Sequence, residues 1–183
     1  MSCKYVITKT GTMLTEMIGK ALSREYGIDA ERIGMGLPGE DNSLVVCIYM
    51  YDIRKNFDMN DQSMNSVSPT KLRYPSKYYD LYYMIVPYSD SDVKFRAKEE
   101  CRLIDLLLQS LGDFYSVEEE AEIGFSLIEL DFDDKMKIWN GLNIPYHTAL
   151  YGKAGPIEIE SVRTREVKRV TNIQMDFISS EEE

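Results

Sequence analysis

The first pattern in the chain is a helical one. Apolar residues recur at intervals of three and four between Thr12 and Tyr26, at Met13, Leu14, Met17, Ile18, Ala21 and Leu22. This spacing predicts an amphipathic helix over residues 12–26 with one apolar face. Gly27 follows at the position where a left-handed C-terminal cap is expected.

A second helix is predicted between residues 92 and 112. The preceding Ser-Asp-Ser-Asp of residues 89–92 is typical of an N-cap, and Gly112 is expected to end the helix. The predicted core stripe, widened by Leu103 and Leu107, consists of Ala97, Cys101, Ile104, Leu108 and Leu111. These residues step by fours and threes, as a buried helix face requires.

Two segments predict the main strands. Residues 43–51 are apolar on both parities, which is typical of a central strand covered on both faces. Residues 78–86 form the second strand, with Leu81, Tyr83 and Ile85 expected on one face and Tyr82, Met84 and Val86 on the other. Between the two strands lies the polar segment Arg54–Lys77, which we expect to be a long loop. Loops of this length are usually functional.

The second half of the chain predicts shorter elements. Ile123, Phe125 and Leu127 alternate, and the apolar positions then change parity to Ile128 and Leu130, which predicts a strand with a bulge near Leu127. A short helix is expected through residues 139–142. Residues 148–151 and 157–162 resemble edge strands, and Ile173, Met175 and Phe177 alternate near the end.

The order of these elements predicts an α/β (α+β) fold with a mixed β-sheet flanked by helices. We expect a core domain over residues 1–162 and a C-terminal arm over residues 163–183 that contains an extended strand. This strand is expected either to remain on its own subunit or to add to the sheet edge of a neighbour, where main-chain hydrogen bonds provide affinity.

Charge restricts the partners. The chain of 183 residues has a net charge of −10, which argues against nucleic acid and against an anionic membrane surface. Residues 113–134 carry nine acidic and no basic side chains, whereas residues 163–169 carry four basic and one acidic. Two interpretations stay open: solvated faces, or charge complementarity between copies or with a neighbouring protein.

The cysteines and the N-terminus indicate cytoplasmic synthesis. Cys3, Cys47 and Cys101 are far apart in sequence, and the last two lie in apolar patterns, so we expect buried thiols in a reducing compartment. Residues 1–5 lack the apolar stretch of a signal peptide. The longest apolar run, residues 44–51, is too short to span a bilayer.

Candidate chemistry is sparse. Residues 34–39 match G-x-G-x-x-G, but a strand is predicted after them where a dinucleotide site needs a helix. Asp131, Asp133 and Asp134 could ligate a hard cation, although capping of the following helix accounts for them better. His147 is the only histidine, and a dyad with one of the cysteines stays open. We therefore predict no catalytic, cofactor-binding or metal-ligating residue.

Four segments, in order, resemble one known family. They are residues 45–56 (VVCIYMYDIRKN), 79–88 (YDLYYMIVPY), 99–111 (EECRLIDLLLQSL) and 139–151 (WNGLNIPYHTALY). The family is the N-terminal domain of the cap, or tail terminator, proteins of phage-tail-like contractile injection systems. Thr148, where a serine is commoner, and the acidic residues 113–122 depart from its pattern.

The resemblance implies a structural role. Members of this family are similar to phage tail terminators, which form a hexameric ring that closes the distal end of the inner tube and contacts the last sheath layer. It therefore implies a homo-hexamer with tube and sheath proteins as partners, no cofactor, and assembly into a particle that is released from cells. The alternatives are another adaptor of the same particle, such as a baseplate or tail-completion component, and a small cytoplasmic enzyme.

Partner-binding residues are expected in the long polar loop and in the C-terminal arm, because both are polar and weakly tied to the predicted core. The predicted residues are Arg54, Lys55, Asn56, Lys71, Arg73, Arg163, Arg165, Lys168 and Arg169. The sequence does not assign any of them to the tube or to the sheath.

Overall fold

The computed structural model describes residues 5–41, 43–59, 63–117 and 124–168. The chain divides into two compact units, one formed by residues 1–60 and 77–159 and the other by residues 61–76 and 160–183. The helices are α1 (Val6–Tyr26), α2 (Val93–Val117) and α3 (Phe132–Leu142). The strands are β1 (Ile33–Met35), β2 (Val46–Lys55), β3 (Asn65–Ser68), β4 (Lys71–Arg73), β5 (Lys77–Pro87), β6 (Phe125–Leu127), β7 (Leu150–Ile159) and β8 (Thr164–Glu166).

The first unit contains a five-stranded mixed sheet with the order β1-β2-β5-β7-β6. The β1–β2 pair is parallel, and the other three pairs are antiparallel. This arrangement confirms the predicted fold class. It also confirms that residues 46–51 belong to an inner strand, because β2 pairs on both sides, although the strand continues to Lys55.

Each face of this sheet has its own core. Helices α1 and α2 cover one face, where Leu81, Tyr83 and Ile85 of β5 are fully buried. Helix α3 covers the other face, where Met84 and Val86 pack with Trp139. The predicted division of β5 into two apolar faces is therefore confirmed.

Helix α1 begins six residues earlier than predicted but ends as expected. Gly27 adopts the left-handed conformation with φ 68°. Its N–H donates to the carbonyl of Ser23, and the N–H of Ile28 donates to the carbonyl of Leu22. A residue with a side chain would be strained at this φ, which explains why glycine terminates the helix.

Helix α2 differs from the prediction in its length and in its buried face. It passes through Gly112 and ends at Val117. Its buried residues are Leu103, Leu106, Leu107 and Leu111. Of the predicted core stripe, Ala97 and Cys101 are exposed and Leu108 is 42% exposed. Leu103, Leu107 and Leu111 were correctly predicted to be buried. The prediction failed at the three exposed positions because the apolar arc of this helix is wider than the area that the sheet covers, and the spacing alone does not show which part is covered.

The strand predicted around Leu127 is present as β6, but the predicted bulge and the continuation to Leu130 are wrong. Strand β6 ends at Leu127, and its Phe125 packs in the core under α1 and α2. Ile128 and Leu130 pack against the opposite core, beside α3. The change of parity therefore marks the place where the chain crosses from one face of the sheet to the other.

Strand β7 replaces the two predicted edge strands. It is one continuous strand and lies between β5 and β6. Gly152 and Gly155 interrupt its apolar pattern, so the sequence did not show one continuous strand. Neighbouring residues leave no space for a side chain at either position. The ring of Phe125 occupies the space of a side chain at Gly152, and a Cβ on Gly155 would lie 2.5 Å from Oδ1 of Asp80.

The second unit contains a three-stranded antiparallel sheet with the order β3-β4-β8. Strands β3 and β4 come from the segment 54–77, which the sequence predicted to be a loop, so that prediction is wrong. Each of these strands is only three or four residues long and mostly polar, which leaves too short an alternation to detect.

The predicted boundary between a core at residues 1–162 and an arm at 163–183 stays a prediction. Residues 164–166 of the predicted arm form β8. Residues 169–183, including the alternating Ile173, Met175 and Phe177, lie outside the described residues.

A pair of substitutions in α2 tests which face of this helix is buried. We expect Leu107→Ala to lower the free energy of unfolding by about 2–5 kcal/mol, because Leu107 is fully buried and truncation leaves a cavity. We expect Leu108→Ala to cost about 1 kcal/mol or less, since its side chain is already 42% exposed. Urea denaturation measures both. Equal losses of stability would contradict an orientation of α2 in which Leu107 faces the core and Leu108 does not.

A second pair tests the close contact between β7 and β5. We expect Gly155→Ala to destabilise the protein by about 1–3 kcal/mol, because the methyl group would meet Asp80 and the carbonyl of Tyr79. Gly141→Ala is the control, since a Cβ at this helical position has no atom within 4 Å. It should stabilise α3 by about 0.5–1 kcal/mol. The melting temperatures should therefore move in opposite directions.

Candidate functional site

The second unit brings together the two segments that the sequence proposed as partner-binding. Strand β4 supplies Lys71 and Arg73, and strand β8 supplies Arg165. The register pairs Lys71 with Glu166, Leu72 with Arg165 and Arg73 with Thr164. We call Lys71, Arg73, Arg163, Arg165 and Lys168 the basic strand pair.

Two members of the basic strand pair are held by contacts within the unit. Nη1 of Arg73 lies 2.6 Å from Oε2 of Glu160. The guanidinium of Arg163 lies 4.5 Å from the centre of the Tyr74 ring, while the backbone N–H of Tyr74 donates to the Arg163 carbonyl at 3.0 Å. These contacts fix the two side chains in place, so both contribute to the shape of the surface as well as to its charge.

The other three members are exposed. Lys71, Arg165 and Lys168 make no ion pair with any residue that the structure describes. Side chains alternate between the two faces along each strand, and Arg165 pairs with Leu72. Lys71 therefore lies on one face of the small sheet and Arg165 on the other. The sheet therefore presents positive charge on both faces, in a protein with a net charge of −10.

Arg54, Lys55 and Asn56 lie at the end of β2 and belong to the first unit. Nε of Arg54 donates to Oδ2 of Asp52 at 2.7 Å, and its guanidinium lies 4.8 Å from the centre of the Tyr82 ring. Nζ of Lys55 lies 4.9 Å from the ring centre of Phe57, which is 73% exposed.

The Asn56 side chain makes its hydrogen bonds within the first unit. Its Nδ2 donates to both carboxylate oxygens of buried Asp80 at 3.1 Å, and its Oδ1 accepts from the backbone N–H groups of Asp58 and Met59. Nζ of Lys153 lies 3.6 Å from the same carboxylate. The Asn56 amide therefore anchors the chain where it leaves β2, which is a structural role. Arg169 lies outside the described residues, and partner binding by any of these side chains stays a prediction.

The glycine-rich segment 34–39 does not have the surroundings of a nucleotide site. Gly34 lies within β1, and the next regular element is strand β2. A Cβ at Gly34 would meet Leu44 at 3.0 Å, so this glycine serves close packing. The predicted absence of a following helix is confirmed.

The acids before α3 differ in part from the prediction. Asp131 occupies the N-cap position, but its side chain makes no capping hydrogen bond. Asp133 and Asp134 lie in the first turn, where negative charge is favourable. A hydrogen bond from Lys137 lowers the pKa of Asp134. Among the described residues, no group of three or more His, Cys, Asp or Glu side chains is placed to hold a metal ion.

The remaining candidates for chemistry are the cysteines and His147. Cys47 is buried, as predicted, and burial raises the pKa of its thiol to about 11. Cys101 is exposed, contrary to the prediction, and Cys3 lies outside the described residues. Nε2 of His147 lies 3.0 Å from the carbonyl oxygen of Pro87 and 3.6 Å from Oε2 of Glu100. No helix in the described part of the chain is long and apolar enough to cross a membrane.

Sequence reasoning missed the basic start of α2, residues 93–98, as a surface. The apolar pattern of this helix concealed its run of basic residues. The segment 129–134 belongs to the acidic stretch that the sequence identified, and the structure adds that Phe132 is exposed there.

Two solved structures resemble this chain. A sheath/tube terminator of an extracellular contractile injection system, PVC, in its extended state, matches with a TM-score of 0.68 and 11% identity, over 98% of this chain and 65% of the other. The tube-terminating cap of the anti-feeding prophage, AFP, matches with a TM-score of 0.65 and 12% identity, over 96% and 62%. At these identities the likeness shows a shared fold.

This chain therefore spans somewhat less than two thirds of the length of those two proteins. No curated protein sequence matches it significantly. The family model described as the Pvc16 N-terminal domain matches residues 11–172, a range that contains all four sequence segments. The chain belongs to the Pvc16 N-terminal domain family, and the resemblance to cap, or tail terminator, proteins drawn from its sequence is confirmed.

Proposed function

We propose that this protein is the cap subunit of a contractile injection system, which closes the distal end of the inner tube, contacts the last sheath layer and ends polymerisation. The observation that carries the proposal is the family match over residues 11–172. The fold shared with two tube-terminating proteins over nearly the whole chain supports it. In this proposal the subunits form a homo-hexameric ring, and the role is structural rather than enzymatic.

The design of the first unit suits such a role. Burial on both faces of the sheet gives a rigid body, and a rigid body loses little conformational entropy when it binds. A cap acts by occupying the end of a polymer, so its proposed role requires no catalytic group. What a cap needs is a set of surfaces that bind tube and sheath subunits but do not accept a further layer.

The basic strand pair is our candidate for one of these surfaces. Exposed Lys71, Arg165 and Lys168 offer positive charge without an internal partner among the described residues. Positive charge on an otherwise acidic protein favours approach to an acidic surface. We therefore propose that this sheet contacts an acidic surface of the tube or sheath protein.

Deletion of this protein tests the proposed function. We expect particles with tubes of uncontrolled length and open distal ends, because nothing would then stop polymerisation. Electron microscopy of particles from the deletion strain and from a complemented strain measures the length distribution. Closed particles of normal length in the deletion strain would contradict the proposal, and label on this protein at the baseplate end would indicate an adaptor instead.

Charge reversal in the basic strand pair tests the proposed surface. We expect the double variant Lys71→Glu with Arg165→Glu, which reverses one charge on each face of the small sheet, to bind capless particles about tenfold or more weakly, because whichever face docks then carries a reversed charge. The matched control is Lys9→Glu with Lys20→Glu, which changes the same charge on the exposed side of α1. Co-sedimentation with particles from the deletion strain measures binding. Equal binding by both double variants would exclude this surface.

A further inference from the structure

The first turns of α2 are exposed and basic. Residues 93–98 carry Lys94, Arg96 and Lys98 and no acid, while Val93 is 82% and Phe95 53% exposed. None of the three basic side chains forms an ion pair with a described residue. We call residues 93–98 the α2 basic surface.

This placement of charge is unfavourable for a free helix. The N-terminus of a helix carries a partial positive charge, so acidic side chains stabilise it and basic ones do not. Helix α2 has no acid in its first turn. Of the two aspartates just before it, Asp90 is already paired with Arg32 at 2.9 Å. Exposed aromatic and unpaired basic side chains at this end are therefore arranged for an acidic partner rather than for the stability of the helix.

A complementary surface occurs on the same unit. Residues 129–134 carry Glu129, Asp131, Asp133 and Asp134 and no basic residue. Only Asp134 forms an ion pair within the described residues, with Lys137 at 2.6 Å. Phe132 is 63% exposed, and a shallow hollow of about 400 Å³ lies beside it. We call residues 129–134 the α3 acidic surface.

The two surfaces lie on different helices. The α2 basic surface belongs to a helix that packs on one face of the five-stranded sheet, and the α3 acidic surface to a helix that packs on the opposite face. Each surface combines an exposed phenylalanine with unpaired charge, and the two charges have opposite signs. A second copy of this chain therefore offers each surface a partner of opposite charge.

We propose that the α2 basic surface of one copy docks on the α3 acidic surface of the next, with Phe95 seated against the hollow beside Phe132. The contact joins two different patches, so it is heterologous and repeats from copy to copy until a ring closes. This inference rests on the proposed ring and names the surfaces that form it. It does not involve the basic strand pair, which is left for other partners.

Charge-swap variants of the full chain test this contact. Variant A carries Lys94→Glu and Lys98→Glu, and variant B carries Asp131→Lys and Asp133→Lys. Each variant alone faces like charges across the contact, so we expect association at least about tenfold weaker than in the unmodified chain. Sedimentation velocity over a range of protein concentrations measures it. Lys9→Glu with Lys20→Glu is the control and should assemble normally.

Mixing the two variants distinguishes lost association from lost folding. In an equal mixture, the reversed surface of A opposes the reversed surface of B, and the unmodified surfaces oppose each other. Assembly should therefore recover, with A and B alternating at a ratio of one to one. High salt should weaken assembly of the mixture and of the unmodified chain alike, because exposed charges are screened.

Three results would overturn the inference: an unmodified chain that stays monomeric at every concentration, single variants that assemble normally, or a mixture that does not recover. None of these would bear on the length-control experiment, which tests the cap function with the unmodified protein. Uncontrolled length after deletion, together with normal assembly of A and B, would support the cap and reject these two surfaces.

Discussion

Strand β5 is buried on both faces, and this constraint places the other elements of the first unit. From Asp80 to Pro87 only Tyr82 keeps appreciable exposure. One face needs α1 and α2 as a cover, and the other needs α3 and Trp139. Its two edges must also be paired, which β2 and β7 accomplish. A strand with no solvent-facing side leaves the sheet little freedom to slip or open.

Because both faces of the five-stranded sheet are covered, binding must use surfaces outside these faces. Indole N–H of Trp139 donates to the hydroxyl of Tyr151 at 3.0 Å, and burial raises the pKa of Tyr83 and Tyr88 to about 12. These groups stay protonated at neutral pH and serve the core. Unpaired charge is found instead at the start of α2, before α3, and on the small sheet formed by β3, β4 and β8. In a protein that acts through assembly, we expect buried polar groups to stabilise the core and exposed charges to contact partners.

The candidate site was predictable in part. Basic residues in the loop and in the tail were visible as an exception to the acidic composition, and the structure places Lys71, Arg73 and Arg165 on adjacent strands. Sequence could not show this neighbourhood, because residues about 90 positions apart are joined only by strand pairing. Nor could it show that the Asn56 amide donates to Asp80, since the two residues are brought together by the pairing of β2 with β5.

The sequence by itself determined the elements whose pattern is long and regular: α1 with its Gly27 cap, the inner strands β2 and β5, and the two faces of β5. It also carried the family resemblance in four ordered segments. Only the tertiary structure decided that β7 is one inner strand, that Leu107 rather than Leu108 faces the core, and that the parity change after Leu127 is a crossing between faces. The physical reason is common to all three: periodicity reports that a residue is apolar, whereas burial depends on which neighbour covers it, and that neighbour is distant in the chain.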